Sequence, residues 1–119
     1  MEWLAIFIGG GTGSLLRYAI SRALPTAEGA FPLATLLANI GSCLVLGLAW
    51  QYLGRHAGVP DAVRLLVLTG FCGGFSTFST FSFETLRLVQ GGHTGMALIY
   101  VGVSVGSCLA ILWGIYRLV

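Results

Sequence analysis

Four long apolar segments, separated by short polar stretches, constrain this chain more than any other feature of its sequence. They cover residues 3–24, 31–53, 63–89 and 96–118. Each is long enough for a helix that crosses the hydrocarbon core of a bilayer, which takes about 20 residues. Only 8% of the 119 residues are charged, too few to cover a water-facing surface, since soluble domains average about 25%. The pattern predicts an all-α membrane protein with four transmembrane helices per chain, folded as a single transmembrane domain over residues 1–119.

The same composition argues against several classes of function. The formal net charge of +2 is spread thinly, without a basic run, which argues against a nucleic-acid partner. Both histidines lie between the apolar segments, and no nucleophile–base pair or metal-ligand cluster is visible, so the chain is not expected to be an enzyme. The three cysteines fall far apart in apolar stretches and are interpreted as small buried hydrophobes.

The arginines are distributed almost evenly between the two sides of the membrane. Four spans place both termini and the 54–60 loop on one side. That side carries Arg55, Arg64 and Arg117, while the other carries Arg22 and Arg87, together with Arg17 if it is counted as near a span end. Because an excess of Lys and Arg orients a membrane protein, this sequence barely specifies its orientation. Short loops that hold few charges are one explanation. The other is dual topology, in which copies insert both ways and pair as an antiparallel homodimer.

The second segment carries a polar stripe. Thr35, Asn39 and Ser42 share one helical face, and Asn39 is the only asparagine in the chain. An amide in hydrocarbon needs hydrogen-bond partners and is costly without them. Asn39 therefore either holds helices together or lines a transport pathway.

The fourth segment has two different faces. Gly102, Gly106 and Gly114 form a stripe of small residues that predicts close helix packing, and Tyr100 and Ser104 lie on the other side of the helix. Ser104 either bonds its own backbone or belongs to a polar pathway.

A charged side chain interrupts the first segment. Arg17 lies about two turns inside the span, where a charge usually faces a protein interior or a water-filled cavity. Its alternative is to extend toward the interface, which is less favoured because Ser14 and Ser21 flank it on the same face.

The third segment contains the most informative stretch, GFCGGFSTFSTFSF at residues 70–83. Paired glycines followed by serine and threonine are poor helix formers. Backbone leaves the helical conformation inside a membrane only where protein or a water-lined cavity satisfies it, and such breaks commonly form ion sites. The sequence predicts a third helix broken at the midplane, with exposed carbonyls near Gly73 to Ser76.

Phenylalanines recur every three residues through this stretch, at Phe75, Phe78 and Phe81, and alternate with hydroxyl side chains. An aromatic stripe usually reflects ordinary packing. A phenyl ring nevertheless carries a positive edge, and ring edges with hydroxyl or amide protons are weak partners for an anion.

In these features the chain resembles the Fluc family of small fluoride channels. The resemblance covers essentially the whole chain and is most specific in GFCGGFSTFSTF at 70–81 and in the lone Asn39, with support from 13–18. It implies a dual-topology, antiparallel homodimer in the cell inner membrane. That dimer would release cytoplasmic fluoride passively and electrogenically through two pores, lower fluoride toxicity, and hold a structural sodium ion (Na+) at its centre.

The resemblance also implies roles for individual residues. Phe78 and Phe81 would contact fluoride through their ring edges, and Asn39 would orient the rings and donate an amide proton. Backbone carbonyls of Gly73 and Ser76 from both subunits would coordinate sodium, a hard cation that suits oxygen ligands. The other implied pathway residues are Thr35, Ser79, Thr80, Tyr100, Ser104 and, near an aqueous vestibule, Arg17.

Two residues near these positions receive no role. Cys108 stands where the family often has serine, and a thiol is a weaker donor than a hydroxyl. Glu84 lies close to the motif and faces either a vestibule or an interfacial partner.

The leading alternative is a proton-coupled small-molecule exporter of the small multidrug resistance type, which is also a four-span dimer. Such exporters depend on an acidic residue inside the first span, and 3–24 contains none. A proton-coupled fluoride antiporter is a nearer rival, but no span contains an evident titrating relay.

Overall fold

The computed structural model describes residues 1–118, which form helices and short connections. The helical elements, in chain order, are α1 (Glu2–Ala23), α2 (Leu33–Arg55), α3 (Asp61–Arg64), a π-helical segment (Leu65–Phe71), α4 (Cys72–Phe75), α5 (Phe78–Gln90) and α6 (Thr94–Leu118). Counting Asp61–Gln90 as one unit, four helices are long and apolar enough to cross a membrane. The prediction of an all-α chain with four such helices is confirmed, and their ends differ from the predicted spans by at most two residues.

Helix α1 packs against the first half of the third span, 61–75, with their backbones in contact. A methyl group at Gly9 would overlap the Leu66 carbonyl, and one at Gly13 would overlap the Phe71 carbonyl. A methyl group at Gly70 would lie 2.9 Å from the Ile6 carbonyl oxygen. Small residues let membrane helices approach this closely. The glycines of the two elements therefore fix how 61–75 lies on α1.

The backbone leaves the helical conformation midway along Asp61–Gln90. Ser76 (φ −76°, ψ 158°) and Thr77 (φ −152°, ψ 115°) are extended and separate α4 from α5. The amide of Ser76 still closes the last turn of α4 on the Cys72 carbonyl, at 3.0 Å. Thr77 begins the next helix, because its side-chain oxygen accepts from the Thr80 amide at 3.2 Å. A threonine cap of this kind satisfies an amide that has no partner in the helix.

The second half of the third span, α5, packs against α2 and α6. A buried cluster of Leu36, Leu88, Ala97 and Tyr100 joins the three helices, and Tyr100 is fully buried. The Phe31 ring meets the Tyr100 ring almost at right angles, with centroids 5.4 Å apart. The first half thus lies mainly on α1 and the second on α6, while α2 contacts both.

The glycine stripe of α6 faces outward. Added methyl groups at Gly102, Gly106 and Gly114 would meet nothing within 4 Å in the described part of the chain. The close packing predicted for this stripe is therefore not made within one protomer.

Candidate functional site

The extended backbone between α4 and α5 is held by a side chain from α2. The Asn39 amide nitrogen donates to the Thr77 carbonyl at 3.3 Å, and the Thr77 amide donates to Asn39 Oδ1 at 2.8 Å. Only one orientation of the Asn39 amide makes both bonds, because the backbone amide can only donate and the carbonyl can only accept. Asn39 therefore bonds both the amide and the carbonyl of Thr77 and holds the extended backbone in place.

This interaction changes the partners of two carbonyl groups at the break. In a continuous α-helix the Thr77 amide would donate to Gly73 and the Thr80 amide to Ser76. Here the Thr77 amide donates to Asn39, and the Thr80 amide donates to Thr77 Oγ1. The carbonyls of Gly73 and Ser76 have thus lost their helical donors, and these are the two groups predicted to coordinate sodium.

Other carbonyls in the same region are already occupied. The Cys72 carbonyl accepts from the Ser42 hydroxyl at 2.9 Å and from the Ser76 hydroxyl at 2.8 Å. The Gly74 carbonyl accepts from Arg17 Nε at 3.1 Å and, more weakly, from the Ser14 hydroxyl at 3.4 Å. The Cys72 and Gly74 carbonyl oxygens therefore already accept hydrogen bonds from hydroxyl or guanidinium donors.

Arg17, half-buried on α1, is thereby tied to the third span. Its charged group faces protein and a cavity of about 320 Å³ that it lines with Thr35, Thr80 and Glu84. A buried arginine is expected to find such surroundings inside a membrane protein.

Glu84 is the centre of a polar cluster that joins three helices. Its Oε1 accepts from the Thr35 hydroxyl at 2.8 Å, and its Oε2 accepts from the Tyr100 hydroxyl at 2.7 Å. Hydrogen bonds to a carboxylate are short and strong. No role for Glu84 is predicted from the motif, although a carboxylate inside an apolar span is itself a signal of function.

This cluster also determines where two predicted pathway hydroxyls point. Thr35 and Tyr100 are both buried, and each directs its proton at the carboxylate. In this arrangement they hold Glu84 beside the cavity.

The aromatic residues of the motif point in different directions. Phe75 is buried, whereas Phe78 is 80% exposed. Phe81 is half-buried and packs on the Tyr100 ring with centroids 5.0 Å apart, and its centroid lies 5.8 Å from that of Phe78. The three evenly spaced rings are therefore buried at Phe75, half-buried against the core at Phe81 and exposed at Phe78.

The remaining predicted hydroxyls differ in how they are used. Ser104 is buried, and its hydroxyl has no hydrogen-bond partner within residues 1–118. The Ser79 hydroxyl is exposed and lies 3.4 Å from Thr77 Oγ1. Cys108 lies one turn beyond Ser104 on α6 and is a half-buried free cysteine.

Thr80 and Glu84 lie between two cavities. Both line the 320 Å³ cavity beside α1 and also a cavity of about 700 Å³ that extends to Arg87 and His93. The described residues contain no group of three or more His, Cys, Asp or Glu side chains that could hold a metal ion.

Comparison with known proteins identifies the family. Residues 4–115 match the family described as CrcB-like protein, Camphor Resistance (CrcB). The chain belongs to the CrcB family. A relative named fluoride-specific ion channel FluC, from Escherichia coli O17:K52:H18 (strain UMN026 / ExPEC), is 43% identical over 101 residues, which is 85% of this chain and 80% of the relative. Relatives with the same name from Escherichia coli (strain SMS-3-5 / SECEC) and Shigella boydii serotype 18 (strain CDC 3083-94 / BS512) match with the same identity and coverage.

The resemblance to the Fluc family is thereby confirmed. With its four apolar helices, this CrcB-family chain is a multi-pass protein of the bacterial plasma membrane. The relatives are named as channels, which agrees with the expectation that the chain is not an enzyme.

In this CrcB-family chain the fold collects most of the predicted site residues around α5. Asn39 holds the break, and Thr35 and Tyr100 hold Glu84. Phe78 and Ser79 instead lie on the outer face of α5. The single chain thus presents part of the predicted pathway on its surface.

Proposed function

We propose that this chain is a fluoride channel that gives passive, electrogenic efflux of cytoplasmic fluoride. The observation that carries the proposal is the extended backbone at Ser76 and Thr77, which Asn39 holds beside the rings of Phe78 and Phe81. The relatives' shared name supports fluoride as the ion.

The conducting unit in this proposal is an antiparallel homodimer of dual topology with two pores. An 80% exposed Phe78 and the outward glycine stripe of α6 are surfaces that a second copy would cover. The nearly even distribution of arginines supports insertion in both orientations. Phe78 of each subunit would then complete a pathway that the single chain leaves open.

A structural sodium ion would lie at the dimer centre, where the broken third helices meet at the bilayer midplane. The Gly73 and Ser76 carbonyls of both subunits would hold it, and the loss of their helical donors supports this assignment. When bound, sodium would supply fixed positive charge near the pathway. Oxygen ligands of this kind suit a hard cation.

The anion must exchange water for many weak donors along the pathway. Moving a small ion into a medium of low dielectric constant costs on the order of 20 kcal/mol in the idealised limit. The unpartnered Ser104 hydroxyl, the Ser79 and Thr80 hydroxyls and the ring edges of Phe78 and Phe81 would supply these contacts. Several modest sites allow the ion to leave again, which a single deep site would not.

Thr35 and Tyr100 contribute differently in this proposal. Each hydroxyl donates to Glu84, so a fluoride ion that takes either proton must replace a carboxylate oxygen. Each hydroxyl is then hydrogen-bonded either to fluoride or to Glu84, so Glu84 competes with fluoride for both hydroxyls.

The exporter alternative receives no support from α1. Its acidic residue is Glu2, exposed in the first turn, and the relatives are named as channels.

Fluoride efflux from liposomes, followed with a fluoride electrode, tests the proposal. Liposomes that contain the purified protein should release fluoride rapidly once a potassium ionophore provides the compensating charge movement, and they should retain chloride. Phe78→Ile should abolish release. Phe83→Ile changes another exposed ring of α5 and should preserve it. Fluoride that stays trapped with the ionophore present, or leaves only together with protons, contradicts the proposal.

A further inference from the structure

We infer that Asn39 and Thr77 are positioning residues for the cation site, and that together they set its affinity for sodium. The inference rests on the sodium site of the proposed function and assigns its construction to two side chains. Neither side chain touches the ion. Each accepts a hydrogen bond from one backbone amide and so prevents that amide from bonding to a carbonyl that would coordinate sodium.

Asn39 acts on the Gly73 carbonyl. The Thr77 amide is the helical donor for that carbonyl, and it lies 2.8 Å from Asn39 Oδ1. A carbonyl that already accepts a hydrogen bond is a poorer ligand for a cation, because the bond draws on the same electron density. Asn39 thereby keeps the Gly73 oxygen available, and its second bond, to the Thr77 carbonyl, fixes the position of the extended backbone.

Thr77 acts on the Ser76 carbonyl in the same way. Its hydroxyl oxygen accepts from the Thr80 amide at 3.2 Å, and that amide is the helical donor for Ser76. Thr77 thus takes part in both changes of hydrogen-bond partner: its amide bonds to Asn39, and its hydroxyl accepts from the Thr80 amide. Loss of the hydroxyl would let α5 begin earlier and return the Thr80 amide to Ser76.

The neighbouring carbonyls explain why these two exchanges matter. The Cys72 oxygen accepts from two hydroxyls, and the Gly74 oxygen accepts from Arg17. A cation at this break would meet competing donors at both positions. Gly73 itself is exposed, and a methyl group added at its Cα would meet nothing within 4 Å in residues 1–118.

Matched variants distinguish an effect on the cation site from the loss of the helix N-cap at Thr77. Thr77→Val keeps the shape of the side chain and removes the acceptor, whereas Thr77→Ser keeps the acceptor. Asn39→Leu removes the acceptor for the Thr77 amide. The sodium affinity should therefore follow the acceptor, and Thr77→Ser should titrate like the unsubstituted protein.

The experiment measures the sodium concentration that gives half of the thermal stabilisation of the purified full-length protein, with N-methylglucamine chloride keeping the ionic strength constant. Substituting residues that position the ligands of a metal typically weakens binding by about 10-fold to 100-fold. A rise of that size in the sodium midpoint is expected for Thr77→Val and for Asn39→Leu. Fluoride efflux of the same samples at saturating sodium records conduction separately.

The outcomes distinguish the two proposals. An unsubstituted protein that shows no sodium dependence contradicts both the sodium site and this inference. A normal sodium midpoint in the unsubstituted protein that is unchanged in Thr77→Val and Asn39→Leu overturns only the inference. A raised midpoint in Thr77→Ser as well as in Thr77→Val would also overturn it, because the acceptor would then not be the cause.

Discussion

The two halves of the third span are built in different ways, although they belong to one apolar stretch of sequence. The half before the break, 61–75, lies on α1 with backbone against backbone, and Gly9, Gly13 and Gly70 make that approach possible. The half after the break, α5, touches α2 and α6 through side chains, and its polar contacts centre on Glu84. Close approach of backbones is therefore specific to the first half, whereas the second half combines side-chain packing with hydrogen bonds to a carboxylate. Substitutions in the first half should disturb folding, and those in the second should disturb conduction.

The largest expected effect comes from enlarging a glycine between α1 and the first half. Gly13→Ala places a methyl group on the Phe71 carbonyl, so the two backbones must separate. Overpacking usually costs about 1–3 kcal/mol, and occasionally more. We expect a lower thermal unfolding temperature and less monodisperse protein in detergent.

The control is Gly11→Ala on the same helix, where a methyl group meets nothing within 4 Å in residues 1–118. Equal losses of stability in Gly13→Ala and Gly11→Ala would contradict the proposed difference between the two halves of the third span, because contact between backbones would then not be the cause.

The next effect comes from removing one donor to Glu84. Tyr100→Phe keeps the ring in its buried cluster and deletes the hydroxyl that donates to Glu84 Oε2. A buried acceptor that loses its hydrogen bond costs about 1–3 kcal/mol, and the lower end of that range is expected because Glu84 is only half-buried. Thermal unfolding should show this loss, and Tyr52→Phe, an exposed tyrosine of α2, serves as the control. An unchanged unfolding temperature for Tyr100→Phe would show that the carboxylate does not need this donor.

A smaller change in stability, with a larger change in function, is expected at Ser104. Its hydroxyl is buried and has no hydrogen-bond partner among residues 1–118, so Ser104→Ala removes no hydrogen bond of that part of the chain and should not lower the unfolding temperature. The fluoride efflux rate should fall, because one donor along the pathway is lost. Ser107→Ala, which removes a weaker contact at 3.3 Å to the Ser104 carbonyl, provides the comparison. Normal efflux in Ser104→Ala would exclude this hydroxyl from the pathway.

The smallest effect is expected for the ion pair between the α1–α2 loop and α5. Glu28 and Arg87 are 3.7 Å apart, and both side chains are well exposed. Exposed pairs contribute only about 0–1 kcal/mol. Glu28→Gln should leave both unfolding and efflux within error of the unsubstituted protein, and a large loss in either would show that this loop does more than connect two helices.

The amino-acid sequence predicts the helices well and the contacts between them poorly. Apolar length alone gives four helices whose ends lie within two residues of the observed ones. Paired glycines with serine and threonine point to the region where the backbone becomes extended, at Ser76 and Thr77. These properties are local, and local preferences can be read directly from residue type.

The remaining features depend on how the helices meet. The equal spacing of the phenylalanines does not show that Phe75 is buried and Phe78 exposed, since the change of backbone direction between them turns the two rings apart. The partners of Asn39 and Glu84 lie on other helices, so their roles depend on the register between helices. The π-helical segment at Leu65–Phe71 also carries no evident sequence signal.

Electrical recording across a planar bilayer is the decisive test of fluoride conduction by this chain. With fluoride and chloride gradients that oppose each other, we expect a current that reverses at the fluoride equilibrium potential, in protein inserted with either orientation. A current that reverses at the chloride potential, or no current from protein that is folded and reconstituted, would show that the chain is not a fluoride channel.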